Sequence, residues 1–287
     1  MNKRISSHGL KGSLRALLRQ VGLYERAKAS WIYDLYWSLA DKKILEDRQK
    51  EIDFYRNLLV AFREGDLIFD IGANQGYKVG IFLKLGARVV AVEPDETCQN
   101  ILRQKFLEYR LKPRPLTIVP KAVSEKPSTE TMWVDTPGGA KNTLSQKWAK
   151  SLKENDKRFG ERLSFGESRT IETTSLEELI SVHGAPFFVK IDVEGYEVKV
   201  LRGLRKPVPY LSFEVNLPEF RQEGMESIEL LEELTPRGKF NYTNDCRNGL
   251  ALQQWATKEE MSTILASCYC DSIEIFWCAH SAQNPAT

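Results

Sequence analysis

The sequence predicts a single doubly wound α/β domain, in which helices cover both faces of a mostly parallel sheet. After Gly65, short apolar runs alternate with stretches of helical periodicity, and that alternation is typical of a parallel sheet. A glycine-containing turn follows the first apolar run, where open α/β sheets bind their ligands. The length of 287 residues is enough for one such domain with a terminal extension.

The elements follow one another in a regular order. In the first half, residues 67–71, 88–92 and 116–123 are predicted strands, and residues 75–85 and 93–109 are predicted to be helical. In the second half, the predicted helices are residues 177–183, 196–204, 227–234 and 258–267, and the predicted strands are residues 187–191, 211–215, 239–243 and 272–278. The pattern therefore predicts about seven strands.

A polar stretch, residues 135–169, separates the two halves. It contains Pro137, Gly138 and Gly139 among many Lys, Glu and Ser residues, which favours loop structure with one helix near residues 146–155. A loop of this length in a compact domain is either a functional lid or a surface insertion, and both interpretations stay open. We expect the main domain to cover residues 56–287, including this insertion.

Residues 1–55 are predicted to form a helical extension that is basic and aromatic. Apolar residues recur at helical spacing from Leu10 to Val21 with Lys and Arg between them, and residues 31–39 are rich in Trp and Tyr. The extension is expected to pack on the main domain or on a second subunit, which would make the protein a homo-oligomer. The alternative is contact with a membrane surface or an amphiphilic substrate.

Composition narrows the function classes. Hydrophobic residues make up 42% and charged residues 28% of the chain, and the net charge of +2 favours no nucleic-acid partner. No apolar run is long enough to span a bilayer and no cleavable leader is evident, so the cytoplasm is the expected compartment. The five cysteines match no zinc pattern, and Cys268 and Cys270, placed on one strand face, are expected to be reduced buried thiols.

The turn after the first predicted strand carries the clearest ligand signal. It reads Asp70-Ile71-Gly72-Ala73-Asn74-Gln75-Gly76, so its glycines are spaced G-x-x-x-G instead of the G-x-G-x-x-G of dinucleotide sites. Gly72 lets the backbone approach a ligand, and Gly76 permits close packing of a ligand or strand. Asp70 would repel a pyrophosphate but suits a cation, such as the amino group of S-adenosylmethionine (SAM).

An acid also ends the second predicted strand. Glu93 follows Val92, where a carboxylate accepts hydrogen bonds from both ribose hydroxyls of a bound nucleoside. Either Asp70 or Glu93 alone is an ordinary strand-end or helix-cap acid. Together, on consecutive strands around D-x-G-x-x-x-G, they favour a nucleoside site.

Several segments resemble the FkbM family of methyltransferases. They are residues 69–76 (FDIGANQG), 92–95 (VEPD), 121–124 (KAVS), 174–179 (TSLEEL) and 189–197 (VKIDVEGYE), followed by 200–203 (VLRG). The resemblance implies a Rossmann-like class I methyltransferase fold, with a seven-stranded sheet whose last strand is antiparallel. It also implies SAM as methyl donor and a hydroxyl acceptor on a sugar, glycan or secondary metabolite. Glu177 stands where the family often has Asp, which we expect to alter only a helix start.

The resemblance also implies a set of cofactor contacts. The expected methionine-side contacts are Asp70, Gly72, Asn74 and Gly76, the ribose contact is Glu93, and the adenine neighbours are Ala122 and Val123. Asp192 is expected to face the methyl end of the cofactor.

A hydroxyl acceptor needs a group that removes its proton. The candidates lie at or near the carboxyl ends of strands, and they are Asp192, Glu194 and Glu214. One of them would act as general base with a raised pKa, or two would hold a divalent cation through oxygen ligands. For Glu194 a purely structural role at a helix start is the alternative. Trp133 and Trp148 either line an acceptor pocket or belong to the core.

Two other functions are compatible with an α/β sheet of this kind. An NAD-dependent oxidoreductase is disfavoured by the glycine spacing and by Asp70. A non-catalytic binding module is the second alternative, and the complete 192–195 segment argues against it.

Overall fold

The computed structural model describes residues 42–111, 115–155, 158 and 163–279. The strands are β1 (Leu67–Ile71), β2 (Arg88–Val92), β3 (Leu116–Val119), β4 (Ala122–Val123), β5 (Ser128–Val134), β6 (Glu167–Thr174), β7 (Phe188–Ile191), β8 (Tyr210–Asn216), β9 (Lys239–Thr243) and β10 (Ser272–Cys278). The helices are α1 (Lys42–Leu58), α2 (Tyr77–Lys84), α3 (Glu96–Lys105), α4 (Leu107–Leu111), α5 (Gln146–Glu154), α6 (Leu176–His183), α7 (Glu197–Leu201), α8 (Arg221–Leu234) and α9 (Lys258–Ser267).

Seven strands form the central sheet in the order β3-β2-β1-β7-β8-β10-β9. The first five of these pair in parallel, and β10 runs antiparallel to both β8 and β9. The expected seven-stranded, mostly parallel sheet with an antiparallel last strand is therefore confirmed.

Helices cover both faces of this sheet because its strands are apolar on both sides. In β1, all five residues are buried, and neighbouring residues belong to different cores. Ile68 packs with Tyr55 of α1 and Phe82 of α2, while Phe69 lies in the core that includes α6, α8 and α9. Two-sided burial of this kind is typical of parallel sheets and explains the continuous apolar runs in the sequence.

A second sheet was not predicted. The strand expected at residues 116–123 is two strands, β3 in the central sheet and β4 in a small sheet of order β4-β6-β5. The two are separated by Pro120, which has no N–H to continue the ladder. Strands β5 and β6 pair antiparallel over seven residue pairs, although the sequence pattern predicts no strand for either segment. Because many residues of both strands are polar and partly exposed, their sequence does not show the pattern of a strand.

The polar insertion is better ordered than a loop. Helix α5 agrees with the predicted helix, and it begins after Ser145, whose side chain accepts a hydrogen bond from the Trp148 N–H. Trp148, Ala149 and Leu152 are buried on its inner face. Helix α8 begins at Arg221, six residues before the predicted start.

Helix α1 is the part of the predicted extension that the structure describes. Its Tyr55 ring lies edge-on to Phe82 at a centroid distance of 5.1 Å, and α1 continues past the expected boundary at residue 55. The basic segment from Leu10 and the aromatic residues 31–39 lie outside the described residues, so their membrane and oligomer roles stay predictions. None of the described helices is both long and apolar enough to cross a bilayer.

The cysteines differ from expectation in one respect. Cys98, Cys246 and Cys278 are buried, whereas Cys268 and Cys270 are partly exposed and lie between α9 and β10 instead of on one strand face. Their sulfur atoms are 2.7 Å apart because the connecting chain turns there.

Candidate active site

A cavity of about 720 Å³, including its open mouth, lies at the carboxyl ends of β1, β2 and β7 and beside β4. Six of the eight predicted cofactor contacts line it, namely Gly72, Asn74, Glu93, Ala122, Val123 and Asp192. The remaining two, Asp70 and Gly76, do not line this cavity. Residues of the polar insertion form part of its wall, among them Asn142 and Leu144.

Gly72 is the point where the β1 and β7 loops meet. Its φ is +81°, and a Cβ built there would lie 1.8 Å from the backbone oxygen of Asp192. The two loops follow Ile71 and Ile191, which are paired in the sheet. A side chain at position 72 would therefore separate the glycine turn from Asp192.

Gly76 has a different neighbour from the expected ligand or strand. Its φ is +77°, and a Cβ there would lie 2.5 Å from Leu102 and 2.6 Å from Phe106. Its small size lets the turn before α2 pack against the end of α3. The expected cofactor contact at Gly76 stays a prediction.

Glu93 is held by the backbone of the glycine turn. Its two carboxylate oxygens accept hydrogen bonds from the Asn74 N–H at 2.7 Å and the Asp95 N–H at 2.8 Å. Burial raises the pKa of Glu93 to about 7, against the lowering effect of these two hydrogen bonds. Each oxygen keeps a further lone pair, so the carboxylate can still accept hydroxyl groups from a ligand in the cavity.

Asp70 is buried without a hydrogen-bond partner for either carboxylate oxygen, as far as the structure describes the chain. Lys190 is its register partner on β7. Burial raises the pKa of Asp70 to about 6, although the positive charge of Lys190 opposes the rise. Burying a carboxylate without a hydrogen-bond partner costs free energy of folding. A cationic or hydrogen-bonding ligand would reduce that cost.

The three predicted catalytic acids come together beside the cavity. One carboxylate oxygen each from Asp192, Glu194 and Glu214 lies within 4.8 Å of the others. Asp192 and Glu194 line the cavity, and Glu214 joins them from β8. Oxygen ligands at this spacing are also the donor set that hard divalent cations prefer.

Two of the three acids are already engaged by cations or N–H groups. Lys190 donates from Nζ to Oδ2 of Asp192 at 2.7 Å. Glu194 accepts from Lys141 Nζ at 3.0 Å and from the Trp148 indole N–H at 3.0 Å, one bond to each oxygen.

Glu214 has a much weaker partner and a different proton affinity. Its carboxylate accepts a hydrogen bond from the Asn216 amide at 3.5 Å. Burial, followed by the negative charges of Asp192 and Glu194, raises the pKa of Glu214 to about 8. For Asp192, burial works in the same direction, but the Lys190 ammonium and its hydrogen bond outweigh it and lower the pKa. Burial raises the pKa of Glu194.

The insertion supplies residues that were not predicted to belong to the site. Lys141 and Trp148 hold the Glu194 side chain, and Thr143 donates from its hydroxyl to the Glu194 carbonyl at 2.6 Å. The Trp148 ring is fully buried, so of its two predicted roles the core role is the one observed. No local sequence signal links residues 141–148 to residue 194, because the contact exists only after folding.

Glu197 is expected to make the stability of the protein depend on pH. Its Oε1 accepts from the N–H groups of Val193 and Gly195, both at 3.2 Å, and burial raises its pKa to about 8 against these bonds. Between about pH 4.5 and 8 the unfolded chain therefore loses this proton while the folded protein keeps it, so the free energy of unfolding falls as pH rises.

We expect Glu197→Gln to remove about 2–4 kcal/mol of the fall in unfolding free energy between about pH 5 and pH 8. Urea unfolding at several pH values measures it, with exposed Glu125→Gln as control. Equal pH slopes in Glu197→Gln and the wild type would contradict the expected protonation of Glu197.

Comparisons with known proteins find methyltransferases. The model of the methyltransferase FkbM domain matches residues 70–242. A ribosomal RNA small subunit methyltransferase A from Anaeromyxobacter sp. (strain K) is 37% identical over 91 residues, which are 32% of this chain and only 28% of that protein. The hexuronic acid methyltransferase AglP of Haloferax volcanii is 27% identical over 172 residues, covering 59% of this chain and 62% of AglP. A solved SAM-dependent O-methyltransferase from Thermotoga maritima superposes with a TM-score of 0.39 and 14% identity, over 82% of this chain and 66% of its own.

Proposed function

Because this chain belongs to the FkbM methyltransferase family, we propose that it transfers a methyl group from SAM to a hydroxyl group of an acceptor. The acceptor is a sugar, a glycan or a secondary metabolite. The observation that carries the proposal is the cavity lined by six predicted cofactor contacts from four separate parts of the chain.

The residues around this cavity fit SAM. Asp70 does not line the cavity itself, but it is a buried carboxylate near the end of β1 without a partner among the described residues, and its negative charge suits a ligand that carries an amino group and a sulfonium. Glu93 keeps lone pairs for two ribose hydroxyls, and Gly72 leaves room for the close approach of a ligand. When bound, SAM supplies a methyl group that its sulfonium has already activated, so the protein has to position the acceptor and remove one proton.

Glu214 is the best general base of the three acids. Asp192 is held ionised by Lys190, and both oxygens of Glu194 accept strong hydrogen bonds. Glu214 has only its weak bond from Asn216 and a pKa raised to about 8, which is close to the pH at which a base works best. With SAM bound, Glu214 would take the proton of the acceptor hydroxyl, while SAM would supply the methyl group to the acceptor oxygen and leave as S-adenosylhomocysteine.

The alternative for the same acids is a divalent cation held by Asp192, Glu194 and Glu214, which would lower the pKa of the acceptor hydroxyl. The similarity to a hexuronic acid methyltransferase supports a sugar among the acceptor classes.

Calorimetric titration with S-adenosylhomocysteine tests the cofactor site. We expect the wild type to bind it, and Glu93→Ala to bind it about tenfold more weakly or worse, because two charge-assisted hydrogen bonds to the ribose are lost. Exposed Glu96→Ala, three residues away, is the matched control and should bind like the wild type. Equal affinity of Glu93→Ala and the wild type, or binding of NADH in place of S-adenosylhomocysteine, would overturn the proposed cofactor.

A further inference from the structure

A second recess lies on the surface of α5, at the edge of the small sheet. Its lining is Trp133, Gln146, Lys147, Ala149, Lys150 and Lys153, and we call it the lysine groove. It encloses about 920 Å³, including its open side. Half of these residues are lysines, and none is acidic, so the groove presents a positive wall.

The lysine groove lies near the candidate active site, with one further recess between them. An intermediate recess in front of α5 shares Leu144 and Tyr196 with the cofactor cavity, and it shares Gln146 and Lys147 with the lysine groove. An extended acceptor with its reacting hydroxyl near Glu194 can therefore follow one surface path along α5.

The lysines line one side of α5 because they are three residues apart. Residues at i and i+3 are neighbours on a helix, so Lys147, Lys150 and Lys153 form a row opposite the buried Trp148 and Leu152. Lys147 is bonded to Glu223 and lies 4.6 Å from the ring centroid of Phe220, so its charge is already shared. Lys150 and Lys153 are exposed, and within the part of the chain that the structure describes neither forms an ion pair.

Trp133 adds an aromatic surface beside these charges. It is partly buried, is anchored by two backbone hydrogen bonds with Thr143, and still contributes to the groove lining. A rigid aromatic ring next to ammonium groups suits a ring-shaped ligand that carries negative charge. A neutral ligand could pack against the ring but would form no ion pair with the lysine row.

We propose that the lysine groove binds acidic sugar units of the acceptor, whose carboxylates pair with Lys150 and Lys153 while a sugar ring packs against Trp133. This inference rests on the proposed function and specifies its substrate as an anionic glycan. RNA is disfavoured because the chain as a whole has a net charge of only +2.

Calorimetry with trigalacturonic acid as the anionic probe and maltotriose as its neutral counterpart tests the assignment. We expect the wild type to bind trigalacturonic acid and not maltotriose, and raising salt from about 50 mM to about 500 mM to weaken the binding. The Lys150→Ser/Lys153→Ser double variant should lose about tenfold or more in affinity, because two charge-assisted contacts disappear. Arg205→Ser/Lys206→Ser removes the same charge from exposed positions outside the groove and should change nothing.

Three results would overturn the assignment: no binding of trigalacturonic acid to the wild type, equal binding of maltotriose, or unchanged affinity in the Lys150→Ser/Lys153→Ser variant. Displacement of trigalacturonic acid by a short single-stranded RNA that binds more tightly would also overturn it. Titration of the same variants with S-adenosylhomocysteine separates this inference from the proposed function. The groove variants should bind S-adenosylhomocysteine normally. A wild type that does not bind S-adenosylhomocysteine would contradict the proposed function, but it would not contradict the binding of an anionic ligand in the lysine groove.

Discussion

Glu214→Gln is expected to slow methyl transfer by about 10²–10⁴-fold, the usual contribution of a positioned general base. The amide keeps the size of the side chain but cannot accept the acceptor's proton. The affinity for S-adenosylhomocysteine should stay within about threefold of the wild type, because Glu214 does not line the cofactor cavity. Transfer of label from SAM into host extract measures the rate, and exposed Glu233→Gln is the matched control.

The pH profile distinguishes a base from a merely structural acid. A carboxylate acts as base only when deprotonated, so the rate of the wild type should rise with pH. Its apparent pKa should be about 8 or lower, because the pKa of Glu214 is raised to about 8 without ligand and the positive charge of SAM favours the ionised form. Glu214→Gln should lose this dependence.

Chelation separates the base from the metal alternative. If Glu214 acts as base, a chelator leaves the wild-type rate unchanged. Loss of activity with a chelator and its recovery with Mg²⁺ would instead assign Asp192, Glu194 and Glu214 as ligands of a divalent cation. A Glu214→Gln rate equal to that of the wild type would contradict both roles.

Gly72→Ala is expected to destabilise the protein by about 3 kcal/mol or more and to abolish binding of S-adenosylhomocysteine. The positive φ of +81° disfavours any side chain, and the new Cβ would lie 1.8 Å from the backbone oxygen of Asp192. The β1 and β7 loops would have to separate, which moves Asp192 away from the cavity. Urea unfolding and calorimetry measure the two effects.

Gly65→Ala is the matched control for this prediction. Gly65 also has a positive φ, +90°, but a Cβ at this position would have nothing within 4 Å of it. Gly65→Ala should therefore show only the backbone cost of about 1–2 kcal/mol and should bind S-adenosylhomocysteine normally. Similar losses in both variants would show that the approach of Asp192 to position 72 does not matter.

The elements that could be predicted from the sequence are those whose signal is local. Strands β9 and β10 and helix α9 have the predicted bounds. The spacing of their apolar residues and the polar residues that flank them define these elements locally. Strands β5 and β6 escaped prediction because each is polar and partly exposed, and their stability comes from pairing with one another across an intervening insertion.

The residues of the candidate site also include some that could be predicted from the sequence and some that could not. Six of the eight expected cofactor contacts line one cavity, since the carboxyl ends of parallel strands meet at one edge of the sheet. The packing partner of Gly76 could not be read from the sequence, because Leu102 and Phe106 reach it from the next helix. Lys141 carried no signal either, since its importance depends on a carboxylate 53 residues away.

The order of strands and helices, the glycine turn and the acids that end the strands are all readable from the chain itself, because each depends on neighbours in sequence. The folded structure decides instead which of the three acids at the site has a carboxylate with only a weak hydrogen bond. Lys190 engages Asp192 from two residues away, but Trp148 reaches Glu194 from 46 residues away, and β8 brings Glu214 beside both. Proton affinity in a buried site is set by such neighbours and by the exclusion of water, and neither exists before the chain has folded.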